Sequence, residues 1–243
     1  MALVLVGINQ NTANIEMREK VAFPPEIVES ALAEIYALPP IREVVIVSTC
    51  NRTEIYLDFV EGDSEAPAGD TLAQNRQLLD RQAQVVAWLS KFHDLEASEL
   101  EQCSYSYASE DVVRHLMKVS CGLDSMVLGE PQILGQIKSA YAVSKDQQVV
   151  EQSLGRAFEE AFSIAKQVRT DTAIGENPVS VAYAAVTLAE RIFSDLPSLS
   201  VLLIGAGRTI ELVVKHLVEK GVSEIVVANR TLDNALEIAN RFD

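Results

Sequence analysis

The chain has 243 residues, 48% of them hydrophobic, with 35 acidic against 20 basic residues and a formal net charge of -15. That allows one large or two ordinary domains, and it argues against nucleic acid being gathered by bulk electrostatics. Three cysteines lie far apart without a Cys-x-x-Cys pair, which points away from a disulfide framework or a metal site and towards a reducing cytoplasm.

Ala2 to Ile8 reads as a buried strand; it is too short, and too lacking in basic flanks, for a signal peptide. Asn9 to Asn14 is polar loop. Pro24-Pro25-Glu26 starts a helix, since proline suits the first turn and an acid suits the positive end of the dipole. Ile27, Ala31, Leu32, Ile35 and Leu38 continue it to Pro39-Pro40. Glu43 to Val47 reads as a second strand, and Ile55, Leu57 and Phe59 share one face of a third. Residues 61–70 have the composition of a solvated loop, 71–92 of a long amphipathic helix, and 104–107 of a short strand. The order β-α-β-β-α-β predicts a ferredoxin-like sandwich.

Helices are expected over 110–121, 133–148 and 151–172. Between the first two lies Gly122 to Gln136, too apolar for an ordinary surface connection. It reads as a packed cleft wall exposing a few polar groups. Asp171 to Pro178 looks like a domain boundary, giving a catalytic domain over 1–175 and a second domain over 176–243. A helix to about Phe193, a strand at 200–204, Gly205-Ala206-Gly207, a helix to Lys220, a strand at 224–228 and a last helix form half of a dinucleotide-binding fold. The fold class expected is therefore α/β: an α+β ferredoxin-like domain with added helices, then a partial Rossmann-type domain. No stretch approaches the roughly 18–20 apolar residues of a membrane span.

Cys50 sits in the polar turn Ser48-Thr49-Cys50-Asn51-Arg52 between two strands. A cation such as Arg52 favours a thiolate, the nucleophilic form, and could instead hold a substrate carboxylate in a bidentate fork. Taken locally, Cys50 reads more readily as a small buried hydrophobe at a strand end. Gly205-x-Gly207 lets a pyrophosphate approach a helix N-terminus; it could also be a turn that only packs helix on sheet. An NAD site wants an acid at the end of the second strand. Here Asn229-Arg230-Thr231 stands there, and a cation, an amide and a hydroxyl suit the 2′-phosphate of NADPH.

The order of motifs resembles the glutamyl-tRNA reductase family. The likeness runs through Gly7-Ile8-Asn9, Ser48 to Tyr56, His115-Leu116, Gly122 to Gln136, and Gly205-Ala206-Gly207 with Asn229-Arg230-Thr231. The resemblance implies that Cys50 attacks the glutamyl ester of charged tRNA, and that a hydride from NADPH reduces the thioester to glutamate-1-semialdehyde, opening tetrapyrrole and heme synthesis. It implies that His115 acts near Cys50 as a base or by orienting the ester. Thr49, Arg52, Ser125, Glu130 and Gln132 would contact substrate, with Gly205, Ala206, Gly207, Asn229, Arg230 and Thr231 on the cofactor.

The family motif Gly-x-Asn-His-Lys-Thr reads Gly7-Ile8-Asn9-Gln10-Asn11-Thr12 here, without its two basic groups, and Cys121 stands where the family has a small residue. The near-neutral segment 112–170 is the expected tRNA surface. The family is a homodimer through a later domain, and the aminomutase that takes the semialdehyde is an expected partner. The expectation is a fragment with weak reductase activity. A shikimate-dehydrogenase-like oxidoreductase would share the Gly-Ala-Gly turn and the Asn-Arg-Thr strand end but leaves Cys50 unexplained. A non-reducing module that binds glutamyl-tRNA or a partner is the other alternative.

Overall fold

A computed structural model of the chain describes residues 2–60, 71–175 and 180–242. The expected loop at 61–70 and most of the boundary after Gly175 lie outside them. Two compact units divide the chain, Met1–Asn177 and Pro178–Asp243.

The first unit is built on β1 (Ala2–Asn9), β2 (Ile41–Ser48), β3 (Arg52–Phe59) and β4 (Tyr105–Ala108). Their order is β2-β3-β1-β4, with every pairing antiparallel. Between β1 and β2 come α1 (Ile15–Lys20) and α2 (Pro25–Tyr36); between β3 and β4 come α3 (Thr71–His93) and α4 (Ala97–Cys103). The strand order is that of a ferredoxin-like sandwich. The short helices α1 and α4 were not expected. Each is under two turns, too brief for a 3.6-residue repeat to show. Asn14 caps α1 by accepting from the Met17 N–H.

Both faces of the sheet are covered. Val4, Val6, Ile8, Val44, Ile46, Ile55, Leu57 and Phe59 pack with α2, α3 and α4 residues such as Leu32, Ile35, Trp88 and Leu100. On the other face, α5 (Glu110–Ser120), α6 (Gln132–Asp146) and α7 (Gln152–Asp171) bring Leu116, Ile137, Leu154 and Phe158 against Leu3, Leu5, Val45, Val47 and Tyr56. All eight residues of β3 are thus buried. Alternation then places Arg52, Glu54, Tyr56 and Asp58 together under the second helical layer.

That layer is anchored by a strand residue. Glu43 of β2, 1% exposed, accepts from the N–H groups of Glu151, Ser153 and Leu154 at 2.8–2.9 Å. These are donors at the start of α7 that have no partner inside the helix, and the dipole there favours an anion.

The second unit holds α8 (Val181–Ile192), β5 (Ser200–Ile204), α9 (Arg208–Glu219), β6 (Glu224–Ala228) and α10 (Leu232–Phe242). Ser180 caps α8 through the Tyr183 N–H at 3.1 Å. β5 and β6 pair in parallel, as a β-α-β crossover requires. Val186, Leu196, Leu217 and Val222 form its core, while Leu202, Ile204 and Val226 are exposed on the sheet. Among the described residues, no helix is long and apolar enough to cross a membrane.

Candidate functional site

The β2–β3 turn is held by its own side chains and by a neighbouring loop. The Thr49 N–H donates to the Arg52 carbonyl at 2.8 Å, and Thr49 Oγ1 accepts from the N–H groups of Asn51 and Arg52 at 3.2 Å each. The Gln10 N–H donates to the Asn51 carbonyl at 3.0 Å. Arg18 of α1 donates through Nη1 to the Cys50 carbonyl at 2.7 Å and to Asn51 Oδ1 at 3.1 Å. Cys50 is therefore an exposed thiol on a fixed backbone. Cys121 is buried and Cys103 half-buried, and burial raises both thiol pKa values. Of the three, Cys50 is presented for reaction. Thr49 faces its own turn, where its hydroxyl is occupied.

Arg52 departs from expectation. Its side chain is 1% exposed, with Nη1 donating to Glu54 Oε1 at 2.7 Å. Nη2 donates to the Asp124 carbonyl at 2.5 Å and to its carboxylate at 2.9 Å. The fork is thus filled from within and is not open to a substrate carboxylate. The guanidinium that reaches the Cys50 turn belongs to Arg18, which sequence reasoning passed over because it lies 32 residues away.

Glu54 is the centre of a buried polar cluster. It accepts from Arg52, from Tyr105 Oη at 2.5 Å, from Tyr56 Oη at 2.6 Å and from His115 Nε2 at 2.7 Å. Burial pushes its pKa up, but the His115 hydrogen bond and the Arg52 charge outweigh this and hold the carboxyl at about 2. Burial, followed by the Glu54 charge, raises both tyrosines. A buried carboxylate is tolerated only with such partners.

Gly7 makes the cluster possible. It sits opposite both Glu54 and Tyr105 in the sheet, and the Tyr105 ring crosses over it. A Cβ at position 7 would lie 2.6 Å from that ring and 2.7 Å from its hydroxyl oxygen. Alternation of Arg52, Glu54 and Tyr56 on a strand with an apolar opposite face was the sequence signal for this stripe.

The segment after α5 reaches the same end of the sheet. Besides the Arg52 bonds, the Asp124 carbonyl accepts from Gln10 Nε2 at 3.3 Å. Ser125 follows Asp124 in the chain and is half-buried. The loop closes through the Gly129 N–H and the Gly122 carbonyl at 2.9 Å. Both glycines have positive φ, +75° and +78°, and a Cβ on Gly129 would meet Ile174 at 2.7 Å. Half-buried Glu130, its pKa raised by burial, lies next to this closure, and Gln132 opens α6. The segment is not simply a packed wall with polar groups displayed. Leu123, Met126 and Leu128 are 49%, 65% and 62% exposed. Its glycines serve a tight reversal that leaves these side chains no core to enter.

In the second unit, Gly205 has φ +114° and donates to the Ala228 carbonyl at 2.7 Å. Gly207 is the N-cap of α9, and nothing lies within 4 Å of where its Cβ would be. An anion can therefore approach the free N–H groups of α9 closely. A cavity of about 600 Å³ borders Ala206, Gly207, Arg208 and Glu211. The Glu211 carboxylate in it is paired with Arg241. Asn229 Nδ2 donates to the Thr231 carbonyl at 2.8 Å, shaping the strand end that leaves Arg230 exposed. These residues fit a nucleotide phosphate.

A family model described as "Glutamyl-tRNAGlu reductase, N-terminal domain" matches residues 6–172, and one described as "Shikimate / quinate 5-dehydrogenase" matches 187–243. The glutamyl-tRNA reductase of Ectopseudomonas mendocina is 52% identical over 242 residues, covering 100% of this chain and 53% of its own length. That of Pseudomonas aeruginosa is 53% identical with the same coverage. The solved glutamyl-tRNA reductase from Methanopyrus kandleri is 32% identical with a TM-score of 0.62, matching 99% of this chain and 52% of that one. The chain spans about half the length of the curated relatives it matches.

Proposed function

Because the chain belongs to the glutamyl-tRNA reductase family, we propose that it carries the acyl-accepting half of that chemistry, with Cys50 as nucleophile towards glutamyl-tRNA. The single observation carrying this reading is the exposed Cys50 on a turn braced by Thr49 and Arg18. A thiolate is a soft nucleophile and a good acyl acceptor for an activated ester. The Cys50 sulfur attacks the ester carbonyl, the carbon–oxygen bond to the tRNA ribose breaks, and a thioester remains on Cys50. The proton leaves the thiol for His115 and passes to the departing ribose oxygen. Arg52 positions the turn and the Asp124 loop, while Ser125, Glu130 and Gln132 line the substrate's approach.

NADPH, held by Gly205, Ala206, Gly207, Asn229, Arg230 and Thr231, would supply the hydride that releases glutamate-1-semialdehyde. The lack of an acid after β6 and the presence of Arg230 favour NADPH over NADH. An aminomutase that consumes the semialdehyde and a homodimeric whole protein belong to the same proposal.

Incubating the chain with glutamyl-tRNA, with and without NADPH, tests the reading. Ester cleavage that disappears in Cys50→Ser supports it. Unchanged cleavage in Cys50→Ser would overturn it, and indifference to charged tRNA would favour the shikimate-type alternative.

A further inference from the structure

We propose that Glu54 is a positioning residue for this acyl transfer, fixing His115 as the Nε2–H tautomer so that Nδ1 is its proton-accepting atom. The inference rests on the reading of Cys50 and His115 above and adds a residue and a protonation pattern to it.

The geometry that carries it is the 2.7 Å contact between His115 Nε2 and Glu54 Oε1. An ionised carboxylate can only accept hydrogen bonds, so the shared proton belongs to Nε2. On a neutral imidazole the lone pair then resides on Nδ1. Glu54 itself has no freedom to turn away. Its Oε1 also accepts from Arg52 and Tyr105, and its Oε2 from Tyr56.

The imidazole is also packed against two aromatic rings, Tyr105 edge-on and Tyr107 tilted. Its ring centroid lies 5.7 Å from that of Tyr105 and 4.9 Å from that of Tyr107. Tyr105 thus both packs on the imidazole and donates to the carboxylate that orients it, and it reaches that place because residue 7 has no side chain. Residues from β1, β3, β4 and α5 thereby converge on one proton.

Histidine-selective ¹⁵N NMR on the chain reads the tautomer directly, with the His115 signal assigned by its loss in His115→Gln. The expected spectrum has a protonated Nε2 and an unprotonated Nδ1. Observing the Nδ1–H tautomer in the unsubstituted chain overturns the inference without any variant having to fold. Glu54→Gln introduces an amide that can donate to Nε2 and so favours the opposite tautomer. It should lower kcat for cleavage of glutamyl-tRNA by roughly 10²-fold or more with little change in KM, by analogy with other carboxylate–histidine pairs. An unchanged kcat in Glu54→Gln, with the unsubstituted chain active, refutes the role of Glu54 alone. An unsubstituted chain that shows the expected tautomer but never cleaves the ester refutes the acyl-transfer reading, and the positioning role with it.

Discussion

Acidification should destabilise the first unit through Glu54 in particular. Its folded pKa is about 2 against an ordinary 4.5. The folded value is depressed, so the stabilisation is complete above about pH 5 and drains away as pH falls towards 2. At about 1.4 kcal/mol per unit, the difference corresponds to about 3 kcal/mol. Trp88, the single tryptophan, is buried in the core of the first unit and reports its unfolding. Urea midpoints followed by Trp88 fluorescence at pH 7, 5, 4 and 3 should be compared between the unsubstituted chain and Glu54→Gln. The stability gap between them should shrink by about 2 kcal/mol by pH 3, since glutamine does not titrate and the remainder is lost only below the folded pKa. Two curves that fall in parallel would show that Glu54 binds its proton alike in folded and unfolded chains, and would refute the reasoning.

Glu43→Ala strips three N–H groups at the start of α7 of their acceptor and should cost about 2–4 kcal/mol in the same urea experiment. Arg18→Ala removes the two hydrogen bonds that tie α1 to the Cys50 turn, to the Cys50 carbonyl and to Asn51 Oδ1, and should cost about 1–2 kcal/mol in the same urea experiment. Gly129→Ala forces a side chain onto a positive φ and against Ile174, and a thermal melt should show a loss of about 1–3 kcal/mol. Arg230→Ala should weaken NADPH binding by about tenfold in a calorimetric titration while leaving NADH unaffected; equal losses would remove Arg230 from the 2′-phosphate.

Much of the fold was legible in sequence because it rests on local period. The β-branched run before Cys50, the alternation after it and the 3.6-residue repeat of α2 each report their own geometry. The exposed turn at Cys50 follows from two strands meeting at four polar residues. The Gly205-Ala206-Gly207 turn follows from a strand, two glycines and a helix in order.

Period also assigned Ile55, Leu57 and Phe59 to one face of β3, but it could not say what covers the other. Tertiary structure decided that α5, α6 and α7 cover it, and so that Arg52 and Glu54 are buried ions and not surface ones. The partners that neutralise them, Tyr105, His115 and Asp124, lie 51 to 72 residues away in the chain. A charge in a low-dielectric interior is defined by whatever donors pack around it. The fork of Arg52, open as read in sequence, is closed for that reason. The same packing turned His115 from a lone histidine into a member of the hydrogen-bonded cluster around Glu54, with room for Tyr105 left by Gly7.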